Sequence, residues 1–224
     1  MILCNLSLEI EHLLPSDLVE ETIHQCIYEF MEVFYDPQSG LIMENVEPGG
    51  LSDTFDGRLL NPGHAIEAMW FIMDLSMRLH KPELAAQAVE ILLRTVKYGW
   101  DEEFGGIFYF LDRKGYPPQQ LEWDQKLWWV HIETLISLIR GYALTGNSAC
   151  LEWFGKVHDY TWARFPDPEF GEWYGYLNRR GEVLLPLKGG KWKGCFHVPR
   201  GLLNIWKTLE SINSGNDGQP IIKI

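Results

Sequence analysis

Basic residues are scarce in this chain: 19 Lys and Arg stand against 31 Asp and Glu, for a formal net charge of −12. That balance excludes broad binding to nucleic-acid backbones, which needs clustered cations to displace counterions. Cysteine is sparse too. Cys4, Cys26, Cys150 and Cys195 form no CxxC pair and no recurring spacing, so neither a structural zinc site nor a disulfide framework is expected, and reduced thiols in the cytoplasm are. No apolar run approaches the roughly 18 residues of a membrane-spanning helix. The amino-terminal stretch MILCNLSLEIEHLLPSDLVEE has no basic region and soon turns acidic, unlike a signal peptide. A soluble cytoplasmic protein with no nucleic-acid or membrane partner is the expectation.

What the chain does have is aromatics, 13% of 224 residues with ten tryptophans, in otherwise ordinary globular composition. Such side chains either line a groove for a flat or sugar-like ligand or fill a helical core. The sequence is also periodic. Asp36, Asp101 and Asp167 open DPQSGLIMENV, DEEFGGIFYFL and DPEFGEWYGYL, 65 and 66 residues apart, each with a glycine four residues on. Alternating apolar and polar residues follow, the pattern of a short β-hairpin or extended loop. Between these loops the apolar period becomes helical. HAIEAMWFIMDLSMRLH and PELAAQAVEILLRTVKYGW form one helix pair, joined at 80–82; KLWWVHIETLISLIRGYALTGN and SACLEWFGKVHDYTWARF form a second, joined at 145–147. A helix starting at Pro15–Ser16–Asp17 precedes them, and a last helix begins near His197.

Units of helix, turn, helix and long loop bury their faces only by stacking, as an α-solenoid or a closed toroid. The expectation is an all-α fold of the (α/α)6-barrel type, about half of the toroid, with short β-hairpins in long loops at one rim. It spans 1–212 as one domain, followed by a flexible tail over 213–224.

His64, His131 and His197 share a register, 67 and 66 residues apart, each near the start of the first helix of a unit. A lone histidine is most often a satisfied core or capping residue; three in register beside Trp70, Trp128, Trp129 and Trp192 point to a shared pocket. Glu67 lies one helical turn from His64, and Trp129 and Glu133 share a face with His131 rotated away. Glu67 and Glu133 also fit a glycosidase acid and nucleophile. The loop GGKWKGCFHVPR (189–200) invites a phosphate or metal reading, but it lacks the GxxxxGK[ST] pattern, and Cys195 and His197 have no partners at metal spacing. It reads best as a rim loop presenting His197.

NPGHAIEA (61–68), LEWDQKLWWVHIE (121–133), FGEWYGYL (170–177) and KGGKWKGCFHVPR (188–200) resemble the N-acylglucosamine 2-epimerase family, its N-acetyl-D-glucosamine 2-epimerase/renin-binding-protein branch. The resemblance implies an (α/α)6 barrel that interconverts N-acetyl-D-glucosamine and N-acetyl-D-mannosamine, an isomerase acting on an amino sugar. It implies His64 and His197 as the acid/base pair, and Glu67, Trp70, Trp129 and Glu133 as substrate-contacting or essential residues. His131 and Arg200 are placed in the pocket with them. Inverting carbon 2 means removing a proton beside the aldehyde and returning one from the opposite face, a task for two imidazoles that titrate near neutral pH. No metal is expected; ATP is implied only as an activator of some members. The family's amino-terminal half has no counterpart here, so the expected partner is that half or another copy. A glycoside hydrolase using Glu67 and Glu133, or a non-catalytic sugar- or partner-binding remnant, are the alternatives.

Overall fold

A computed structural model describes residues 1–214. The first elements are α1 (Ile2–Glu9), a 3-10 turn (Glu11–Leu13) and α2 (Ser16–Tyr28), which runs on as one π turn through Glu29–Val33. Two helix pairs follow, α3 (Pro62–Arg78) with α4 (Pro82–Gly99) and α5 (Trp128–Thr145) with α6 (Ser148–Arg164); α7 (His197–Asn213) closes the described chain. The helical hairpins expected from the period are therefore present, and α1 is an addition. The expected tail falls mostly at 215–224, outside the described residues. No described helix is long and apolar enough to cross a membrane.

The start signals act as their chemistry predicts. Pro62 opens α3, with Asn61 capping the backbone N–H of His64 at 3.1 Å, and Gly146 takes the left-handed conformation that ends α5. Helices α3 and α5 are buried nearly all round, whereas α4, α6 and α7 bury one face. α3 packs on α4 and α5, and α5 on α6 and α7, so α5 is the axis of the assembly. Gly201 allows α7 its close approach to α5: a Cβ there would fall 2.3 Å from Ile132 Cγ1.

The three aspartate loops share one geometry. Residues 35 and 42, 100 and 107, and 166 and 173 pair antiparallel, so each loop begins with the same tight hairpin. Gly40, Gly105 and Gly171 adopt φ of 70°, 75° and 70° and donate their N–H to the aspartate carbonyl. Each aspartate side chain also ties the loop to a cation: Asp36 to Arg113, Asp101 to Lys126 and Arg179, Asp167 to Lys188. The first loop encloses a strand pair of its own, β1 (Tyr35–Asp36) with β2 (Leu41–Ile42), and the third encloses β6 (Tyr176–Leu177) with β7 (Val183–Leu185). Two further pairs join successive loops: β3 (Leu59–Leu60) with β4 (Leu111–Asp112), and β5 (Lys126–Leu127) with β6. The rim is thus stitched across successive units, a pairing that alternation within one loop does not reveal.

Candidate functional site

The stitched rim walls a cavity of about 460 Å³, within the range of small-molecule sites. His64 and His197 line it, with the Trp129 indole against both: its centroid is 5.2 Å from the His64 ring and 5.8 Å from the His197 ring. Each imidazole is anchored through Nδ1. His64 Nδ1 meets both oxygens of Glu44 at 3.0 Å, and His197 Nδ1 meets Glu133 Oε1 at 2.7 Å. A carboxylate only accepts, so Nδ1 carries the hydrogen in both rings and Nε2 is the free nitrogen. Neither Nε2 has a hydrogen-bond partner among the described residues.

Beneath His197 lies a charged cluster drawn from three helices. Glu133 accepts from His197 and Arg200 on Oε1 and from Trp70 Nε1 on Oε2 at 2.9 Å. Arg200 also donates to Glu67 Oε1 at 3.2 Å. The helical spacing explains the convergence: Glu67 and Trp70 on α3, Trp129 and Glu133 on α5, and His197 and Arg200 on α7 are each three or four residues apart. Burial, then repulsion from Glu133, pushes the Glu67 carboxyl up to about 7. Deeper still, Arg140 stacks on Trp70 and holds Asp74, whose carboxyl burial raises to about 6.

Seven of the eight residues singled out from sequence therefore join into a continuous network: His197, Glu133, Arg200, Glu67 and Trp70, with Trp129 leading to His64 at its other side. Glu67, Trp70 and Glu133 are at most 2% exposed and do not line the cavity. They hold His197 and Arg200 rather than presenting themselves to a sugar. The carboxylates that were candidates for a glycosidase pair share one guanidinium.

His131 is a correction. It is fully buried, its Nδ1 donating to Leu127 O at 2.7 Å and its Nε2 accepting from Ile107 N–H at 3.1 Å, while its ring stacks on Tyr160. Burial drives it down to about 3, so it is a neutral core residue. Its ring points into the seam with α6, against Tyr160 and Phe165, whereas the His64 ring lines the cavity.

Glu44 was not anticipated, nor were Tyr109, Glu122, Gln125 and Tyr176 in the cavity wall. A signal existed for two of them: Glu44 and Tyr109 both lie eight residues after their loop aspartates. Donor atoms of Glu67, Glu133 and His197 lie within 4.8 Å of one another, close enough to hold a metal ion. Arg200 already bridges the two carboxylates, so the cluster has its cation built in.

The family model described as N-acylglucosamine 2-epimerase matches residues 1–198. The chain belongs to that family. It is 48% identical over 176 residues to the N-acylglucosamine 2-epimerase of Bos taurus, covering 77% of this chain and 42% of that protein. The Homo sapiens protein of the same name is 47% identical over 163 residues, covering 72% and 38%. The chain thus spans about two fifths of the length of these relatives. Among solved structures, a D-mannose isomerase superposes with a TM-score of 0.78 at 16% identity, covering 92% of this chain and 54% of that one. A cellobiose 2-epimerase from Spirochaeta thermophila gives 0.69 at 20% identity, covering 88% and 48%. These structural neighbours establish the fold, and the expected (α/α)6 class is borne out over about half a toroid.

Proposed function

We propose that this site epimerises carbon 2 of an N-acylhexosamine, interconverting N-acetyl-D-glucosamine and N-acetyl-D-mannosamine in their open-chain forms. The observation that carries the proposal is the pair of imidazoles, both anchored by carboxylates at Nδ1 and both lining one cavity beside Trp129. One ring enters neutral and its Nε2 takes the proton alpha to the aldehyde; the other enters as imidazolium and its Nε2–H gives a proton to the opposite face of the enolate, so each ring ends in the other's state and the reverse reaction exchanges the roles. Glu44 and Glu133 fix the rings and support the imidazolium that each forms in turn. Both curated relatives described above carry the epimerase name, which supports the substrate class. ATP has no part in these proton transfers.

Incubation with N-acetylmannosamine in deuterium oxide tests the reading: deuterium should enter carbon 2, and His64→Ala and His197→Ala should each abolish it. A folded wild-type protein that exchanges nothing refutes it. The proposal includes a partner for the exposed apolar face of α7, where Leu202, Leu203 and Trp206 are 40%, 45% and 58% exposed. Further hairpins of a toroid, from a longer chain or a second copy, suit such a face, and the mass in solution checks for the second copy.

A further inference from the structure

The proposed chemistry leaves several cavity-lining polar groups unused, and one of them matches the substituent next to the reacting carbon. We infer that Gln125 reads the 2-acylamino group and makes the site selective for N-acylhexosamines over neutral hexoses. This inference rests on the sugar-epimerase reading and names the residue that sets its specificity.

The placement of Gln125 is fixed by its neighbours. Lys126 is fully buried, its Nζ 3.1 Å from Asp101 Oδ2 and 3.6 Å from the Phe108 ring centroid. Side chains alternate along extended backbone, so with Lys126 turned inward, Gln125 and Leu127 share the other side, and both line the cavity. The backbone N–H of Gln125 is tied to Glu122 O at 3.1 Å, and β5 is held by β6. The Gln125 carboxamide has no hydrogen-bond partner among the described residues, and it is half-buried rather than spread into solvent.

Geometry and chemistry then select it. For both imidazoles to reach carbon 2, that carbon must lie beside Trp129, which packs against both rings. The acylamino nitrogen is bonded to carbon 2, so the acyl group settles on the wall of this cavity, which Gln125, Leu127 and Trp128 line together with Trp129. A carboxamide offers an N–H donor and a carbonyl acceptor side by side, the complement of an acylamino group. Leu127 and Trp128 supply apolar surface for the acyl methyl. Two other polar wall residues fit less well. Glu122 is an acceptor only and opposes an acyl carbonyl. Tyr109 is held near Glu122 and Glu44, whose charges, after burial, raise its phenol.

Calorimetric titration of the whole protein with N-acetylmannosamine and with mannose tests the inference without requiring turnover. Wild-type protein should bind the acylated sugar at least about tenfold more tightly, the worth of two hydrogen bonds. Gln125→Ala should erase that preference by weakening N-acetylmannosamine while leaving mannose within about twofold. Gln125→Glu, which keeps shape and acceptor but loses the donor, should fall between them. Equal affinity of the wild type for both sugars overturns the inference, as does an equal loss for both in either variant. Carbon-2 exchange is read separately: exchange without acyl preference refutes Gln125 alone, and acyl preference without exchange refutes the epimerase reading alone.

Discussion

Glu133→Gln keeps the volume of a side chain that is fully buried and changes only its hydrogen-bonding capacity. The carboxylate accepts from three donors, His197 and Arg200 on one oxygen and Trp70 on the other. A carboxamide has one acceptor oxygen. If that oxygen stays with His197 and Arg200, its NH2 faces the indole N–H; if it turns to Trp70, the NH2 faces the imidazole and the guanidinium. Either way a buried donor is left unpaired, at about 1–3 kcal/mol. Arg200 also loses one of its two carboxylates and keeps only Glu67, about 1 kcal/mol more, because a buried charge is then half-compensated. The expected loss is about 2–4 kcal/mol, a fall in Tm of roughly 5–15 °C for a chain of this size. Carbon-2 exchange should drop by about 100-fold even in protein that is fully folded, since a ring misplaced by ~1 Å loses that much. Urea unfolding followed by circular dichroism reads the first effect, and deuterium incorporation at a temperature well below the transition reads the second. Stability within about 0.5 kcal/mol of wild type, a surface-mutation value, would refute the claim that Glu133 is the hub of this cluster.

Two other outcomes follow from buried titratable groups. Glu67 is raised from 4.5 to about 7, chiefly by burial, so the folded state holds a proton that the unfolded state has released. Stability should therefore fall as pH rises from about 4.5 to 7, and in urea titrations across that range Glu67→Gln should gain on wild type, whereas a constant gap contradicts the assignment. His131 is lowered to about 3 by burial, so its contribution has the opposite sign and is lost as pH falls from about 6.5 towards 3. His131→Ala, which empties a core site and orphans the Ile107 N–H, should cost about 3–5 kcal/mol in thermal unfolding yet leave exchange per folded molecule within a few-fold.

Much of the fold was legible because its signals are local. Pro62, the Asn61 cap and Gly146 punctuate helices through their own backbone preferences, and each loop aspartate closes its turn onto backbone N–H groups two or three residues away. Trp129 and Glu133 were legible as one helical face from their spacing of four, whereas the gathering of Glu67, Trp70, His197 and Arg200 with them was carried by the family motifs. Glu44 was harder to read, since it reaches His64 across twenty residues of loop. Lys126 shows the same limit: the helical pattern takes it as the head of KLWWVHIETLISLIRGYALTGN, and only packing against Asp101 and Phe108 decides that it is extended, turns inward and leaves Gln125 facing the cavity.

By itself, the sequence determined the helical hairpins, the repeating loop turn and the register that brings His64 and His197 to the same rim. These depend on backbone geometry over a few residues and on a 65–66-residue spacing that can be counted. Tertiary structure alone decided which side of each helix meets the cavity. His64 lines the cavity and His131 lies in the core, although the two share the repeat. It also decided that Glu67, Trp70 and Glu133 are buried around His197 and Arg200, because burial and hydrogen-bond partners are properties of the packed helices and not of any one of them.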